Sequence, residues 1–253
     1  MKVIGRFNDF LRNLGVTFRP TFRIDSRESL LQAVETFGLL PFFPNNIRGL
    51  SVEEMCAPGM LFGGNYDEGC WEWKGPVIRK RTSAYGKFFR RKAGFVREDL
   101  LPDFINYRRS SYPIKEGSTE ELLYEIIREN DSITSTELKK YIFGKKERAS
   151  WDELPEVGMK SLPEKKGKSL ESPLQRLQMG LWVNICDFEY KTTKRGERYG
   201  WGVARYSTPE LTFGEIINNH DEKTPEESLE SIINVMRKIW PAASKKSIEQ
   251  LIK

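Results

Sequence analysis

Seven Lys or Arg side chains and no carboxylate occupy residues 79 to 95, RKRTSAYGKFFRRKAGF. Arg79, Lys80, Arg81, Lys87, Arg90, Arg91 and Lys92 are interleaved there with Tyr85, Phe88, Phe89 and Phe95. Cations at that density neutralise phosphates and release counterions, the main source of sequence-independent affinity for nucleic acid. The stretch is therefore a candidate duplex-binding surface, and its alternative is a solvated domain edge. Just upstream, Glu72 stands between Trp71 and Trp73. A carboxylate held against apolar rings is pushed toward its neutral form, which suits it to general acid–base chemistry. Trp71, Trp73 and Tyr85 are aromatic faces on which a nucleobase could stack. The same triplet also fits a strand that sends both indoles inward and Glu72 to water.

Other chemistries find few residues. The single histidine, His220, lies in the polar run NNHDEK and reads as surface, so a Ser-His or Cys-His nucleophile has no base to draw on. Cys56, Cys70 and Cys186 show no paired spacing and read as reduced structural thiols. No metal, no cofactor and no Gly-rich phosphate loop is expected.

Two groups of elements must position these residues. In the C-terminal half, Ser118 with Glu121 and Thr134 with Glu137 are capping signatures before apolar helical faces. They predict helices over about 119–129 and onward from 134, the latter stopping at Gly144. Lys, Pro and Gly dominate 144–170, which reads as a long exposed connection. Ser172 as cap and Pro173 at the first helical position open a third short helix, whose Gln175 and Arg176 are candidate DNA contacts. Aromatic and β-branched runs over 182–191 and 198–206 form a hairpin around TKRGE, with Lys194, Arg195 and Arg198 at a basic tip. Three helices and a hairpin are the order of a winged helix, which presents its third helix and wing to DNA.

The same order repeats upstream. Asp25 and Glu28 are expected to cap a helix that ends at Gly38, and Ser51 to open a short one. The later part of WEWKGPVIRKRTS then supplies a recognition helix, and AYGKFFRRKAGFV a hairpin turning at RRKAG. The expected fold is α+β and helix-rich, built of tandem winged-helix units. Its divisions are an extension over 1–25, units over 26–110 and 111–213, and a helical segment over 214–253. In that segment Thr224, Pro225 and Glu227 open an amphipathic helix that docks on its own domain. A chain of 253 residues with 38% hydrophobic residues can bury such cores. The net charge is +5, from 41 basic and 36 acidic residues, and matters only because the basic residues cluster. No apolar run of about 18 residues occurs, so no membrane association and a cytoplasmic monomer are expected.

Two segments carry a resemblance to a known family. They are WEWKGPVIRKRTSAYGKFFRRKAGFV followed by EDLLPDF, and SPLQRLQMGLWVNICDFEY with YGWGVARYS. Over about 26–213 the chain resembles the winged-helix DNA glycosylases of the AlkZ type, above all their smaller AlkZ-related relatives. Those glycosylases excise bulky alkylated bases and unhook interstrand cross-links. The resemblance implies a tandem winged-helix fold and double-stranded DNA as the partner. Active members position water with a Gln-x-Gln or Gln-x-Asp motif; here LQAVE offers Gln32 but Val34 two residues on, and Gln175 and Gln178 are three apart in the later unit. The expected function is duplex binding without that motif, non-catalytic or divergent. The alternatives are an active alkyl-base glycosylase, with Glu72 or Gln32 as its polar group, and a winged-helix module for a protein partner.

Overall fold

A computed structural model describes residues 22–63, 69–143, 170–196, 198–217 and 223–253. His220, the 144–169 connection and nearly all of the N-terminal extension lie outside them. The architecture is mixed α/β, with helices packed on one six-stranded sheet.

The element order repeats. The first half runs α1 (Arg27–Phe37), β1 (Leu39–Pro41), α2 (Val52–Met55), α3 (Cys70–Ile78), β2 (Ser83–Phe89) and β3 (Lys92–Arg97). A 3-10 turn over Glu98–Leu100 then leads into α4 (Leu101–Ser111). The second half runs α5 (Thr119–Glu129), β4 (Ile133–Thr134), α6 (Ser135–Phe143), α7 (Glu171–Met179), β5 (Asn184–Thr192) and β6 (Arg198–Ser207). Finally α8 (Pro209–Phe213) and a 3-10 turn over Gly214–Ile217 precede α9 (Pro225–Ile239) and α10 (Lys245–Ile252).

Both hairpins belong to one sheet of order β1-β3-β2-β5-β6-β4. In each half the short strand after the first helix covers the outer strand of the hairpin, β1 on β3 and β4 on β6. The halves meet where Tyr85 of β2 pairs with Ile185 of β5. Tyr85 is only 2% exposed, with its ring 4.8 Å from Phe95 and 6.1 Å from Phe188. Aromatic packing thus continues from one hairpin into the other, and the core is a single cluster.

Local signals explain most helix starts. Ser118 accepts from the Glu121 amide, and Thr134 with Glu137 forms the reciprocal pair of hydrogen bonds. Thr224 and Glu227 do the same at α9, with Pro225 in the first turn. The cap of α1 differs from expectation: Ser26 and Ser29 form the box, one residue beyond Asp25. A hydroxyl at Ser29 bonds back to the Ser26 amide, a role usually filled by Glu or Gln. Nor does Ser172 cap α7. That helix opens two residues before Pro173, from Leu170, and without a side-chain cap.

Arg108 of α4 ties the layers together. Fully buried, it donates through Nε to Met179 O at 2.5 Å, through Nη2 to Phe88 O at 3.2 Å and through Nη1 to Lys253 O at 3.1 Å and to Ile252 O. One guanidinium therefore joins α4 to β2, to the end of α7 and to the end of α10. Burial pulls its pKa down to about 10.

Candidate nucleic-acid interface

The first turn of α3 sets one wall of the site. The Cys70 amide donates to Met60 O at 2.7 Å and the Trp71 amide to Leu61 O at 3.0 Å. Glycine is required at the cap, because a Cβ on Gly69 would sit 2.3 Å from the Gly63 nitrogen. Those loop contacts favour a helix, and residues 71–73 are accordingly helical and not a strand with alternating faces. The period-two pattern of Trp, Glu and Trp is overridden by its surroundings.

On that turn Trp71 is half-buried, and its indole lies edge-on to Phe42 at 5.4 Å and to Trp201 at 5.9 Å, with Phe62 at 5.7 Å. Trp201 is 70% exposed and Phe62 53%. They form an aromatic surface open to solvent between α3 and β6. Trp73 and Tyr85 belong to the core, so of the three sequence-proposed stacking residues Trp71 alone borders solvent. Neither Trp201 nor Phe62 was singled out from the sequence. The signal for Trp201 was a large indole between Gly200 and Gly202 on a strand. Gly202 is needed for proximity, since a Cβ there would meet the Tyr190 ring at 2.9 Å.

Beneath this surface lies Lys74, 2% exposed. Its ammonium donates to Trp71 O and sits over the Trp71 ring at 3.9 Å and over Phe188 of β5 at 4.5 Å. Desolvation pulls its pKa down to about 7, opposed by the nearby Glu72 carboxylate. Lys74 thereby links α3 to the second hairpin. Glu72 is half-buried, with Oε2 turned inside, 2.9 Å from where a Gly69 Cβ would stand. Gln32 is exposed on α1, whereas Val34 is in the core. The position two residues after Gln32 is therefore apolar and buried.

The basic stretch does not make one patch. Arg79, Lys80 and Arg81 follow α3 at one end of β2, and Arg90, Arg91 and Lys92 turn at the other. Six residue steps of about 3.3 Å separate these ends by about 20 Å. Near the turn, the Arg91 amide lies 3.2 Å from Met179 Sδ, and Gln175 Nε2 donates to Arg91 O at 3.4 Å. That end also holds carboxylates: Glu171 is 3.8 Å from the Lys87 ammonium, and Glu120 is 3.4 Å from Arg176. Lys92 reaches Pro44 O at 3.3 Å.

At the opposite end the second hairpin overhangs. Strand β2 begins at Ser83, whereas β5 and β6 continue pairing from Phe188↔Ala204 to Thr192↔Arg198. The overhang is about 13 Å at ~3.3 Å per residue. Exposed Lys191, Lys194, Arg195 and Arg198 lie along it, with Arg198 over the Tyr190 ring at 5.0 Å. Arg79 joins this end through a 2.7 Å ion pair with Asp187 of β5. Arg205 is held by Glu189 and by Ser132 O at 3.0 Å. The exposed aromatic surface and the cations of the second hairpin thus share one end of the sheet. Among the described residues no cluster of three or more His, Cys, Asp or Glu is placed to hold a metal ion, and no helix is long and apolar enough to cross a membrane.

Comparison with known proteins adds two findings. A family model described as AlkZ related matches residues 24–253. A solved structure of Streptomyces sahachiroi DNA glycosylase AlkZ is similar at 11% identity and a TM-score of 0.35, over 90% of this chain and 64% of that one. The chain thus spans less than two thirds of the length of that solved protein. No curated protein matches.

Proposed function

The chain belongs to the AlkZ-related family, and from that premise we propose that it binds double-stranded DNA through tandem winged-helix units. The repeated order of helix, strand, two helices and hairpin supports this architecture. The carrying observation is the sheet end where Arg79, Lys80 and Arg81 stand beside the overhanging hairpin with Lys191, Lys194, Arg195 and Arg198. A hairpin unsupported by neighbouring strands and edged with cations suits the phosphate backbone. Exposed Trp201 and Phe62 beside Trp71 offer faces for a base displaced from the stack. The chain acts in this reading as a cytoplasmic monomer without cofactor. It is tested by titrating a fluorescent duplex with the full chain: binding weakens linearly in log affinity against log salt. Absence of binding at low salt rejects the reading and favours the protein-partner alternative.

A second reading rests on Glu72. Glu72 belongs to the same helical turn as Trp71, with Oε2 turned inside beside Gly69, and a polar group there could hold water against an electron-poor sugar. The first reading predicts no free base released from alkylated duplex by the wild type. The second predicts release that disappears in Glu72→Gln. The motif in which Gln32 is followed by Val34 places duplex binding without excision first.

A further inference from the structure

Cys56 and Cys70 stand fourteen residues apart in sequence, yet their Sγ atoms lie 2.8 Å from each other. Two separate pieces of structure make that approach. Cys56 caps the end of α2, where its amide donates to Val52 O at 2.8 Å, and Cys70 is the first residue of α3, its amide held by Met60 O. The Ile24 segment bridges to Cys56 and fixes it from the other side. Cys56 is half-buried and Cys70 fully buried. The third thiol, Cys186, donates to Arg205 O at 3.4 Å on the other hairpin and takes no part.

We propose that Cys56 and Cys70 are a redox modification site, closed to an internal disulfide by a low-molecular-weight disulfide. The Cys56 thiolate, the more accessible of the two, attacks the small disulfide and expels one thiol, forming a mixed disulfide. Cys70 then attacks the Cys56 sulfur and expels the second thiol. Two protein thiols are oxidised, one small disulfide is reduced to two thiols, and two protein hydrogens are lost. Burial pushes both thiols up, so little thiolate is present and exchange with the small disulfide is slow. The short Sγ–Sγ separation is the geometric basis for closure. Its consequence is local. The bond ties the first turn of α3, which carries Trp71, to the end of α2, and closes the loop that bears Phe62. This inference does not depend on DNA binding.

The full-length native chain is incubated with oxidised glutathione and measured by intact mass, followed by peptide mapping. The expected product has lost two hydrogens, with residues 56 and 70 in one cross-linked peptide. Its Tm rises by about 5 °C or more, because the cross-link restricts the unfolded chain. Cys186→Ser still loses two hydrogens, whereas Cys56→Ser does not. Two results would overturn the site: no mass change in excess oxidant, or a mixed disulfide that accumulates without closing.

Discussion

Arg79 Nη1 lies 2.7 Å from Asp187 Oδ1, an ion pair that crosses from the end of α3 in the first half to β5 in the second. Both side chains are substantially exposed, at 48% and 35%. The pair contributes at most about 1 kcal/mol to stability. Its larger effect is electrostatic: Asp187 occupies a cation that would otherwise face phosphate. Asp187→Asn should therefore tighten duplex binding severalfold and leave the urea midpoint nearly unchanged, as titration and equilibrium unfolding of one preparation will show.

Trp201 projects from the overhanging hairpin with most of its surface in water. Its truncation removes little packing, so Trp201→Ala should alter stability by less than about 0.5 kcal/mol. Base–aromatic stacking is worth about 1–3 kcal/mol, so affinity for a duplex with an unpaired base should fall about tenfold. An unchanged affinity would place the indole outside the interface.

Lys74 predicts a particular pH profile. Its pKa is 10.5 ordinarily and about 7 in the folded chain. As pH falls through 10.5, the unfolded chain takes up a proton that the folded chain refuses until about 7. Stability from this group is therefore present at high pH and is lost between those values, at up to about 1.4 kcal/mol per pH unit. Lys74→Met removes that loss. The difference in unfolding free energy, variant minus wild type, should grow in the variant's favour from pH 9.5 to pH 7.5. A difference independent of pH would contradict this account of Lys74.

Arg108 is also a buried cation, but its guanidinium donates to four main-chain carbonyls. Arg108→Met leaves those carbonyls buried without their donor, and should cost about 3–5 kcal/mol. The expected signature in denaturant is a lower midpoint with unchanged slope.

The helices were legible in the sequence where a hydroxyl residue and a Glu three positions later fall before an apolar face, as at Thr224 and Glu227. Both hairpins were legible from their runs of aromatic and β-branched residues. The first turns within RRKAG as expected, at Arg90 and Arg91, with φ of +48° and +68°. Gly94 is needed inside β3, where a Cβ would meet the Phe89 ring at 2.5 Å and Leu40 O at 2.8 Å. What no local pattern carries is proximity between distant segments. The separation of Arg79–Arg81 from Arg90–Lys92, the burial of Lys74 under Phe188 and the meeting of Cys56 with Cys70 all depend on how β2 joins β5 and how α2 meets α3.

The most direct measurement compares the salt dependence of duplex binding for wild type and for two combined variants. One is Lys194→Ala, Arg195→Ala and Arg198→Ala at the overhanging hairpin; the other is Arg90→Ala and Arg91→Ala at the far end of the sheet. The account predicts that the hairpin variant lowers the slope of log affinity against log salt by about 2.7, three phosphate contacts at ~0.9 each, while the second variant leaves it almost unchanged. Equal slopes for wild type and the hairpin variant would contradict the interface.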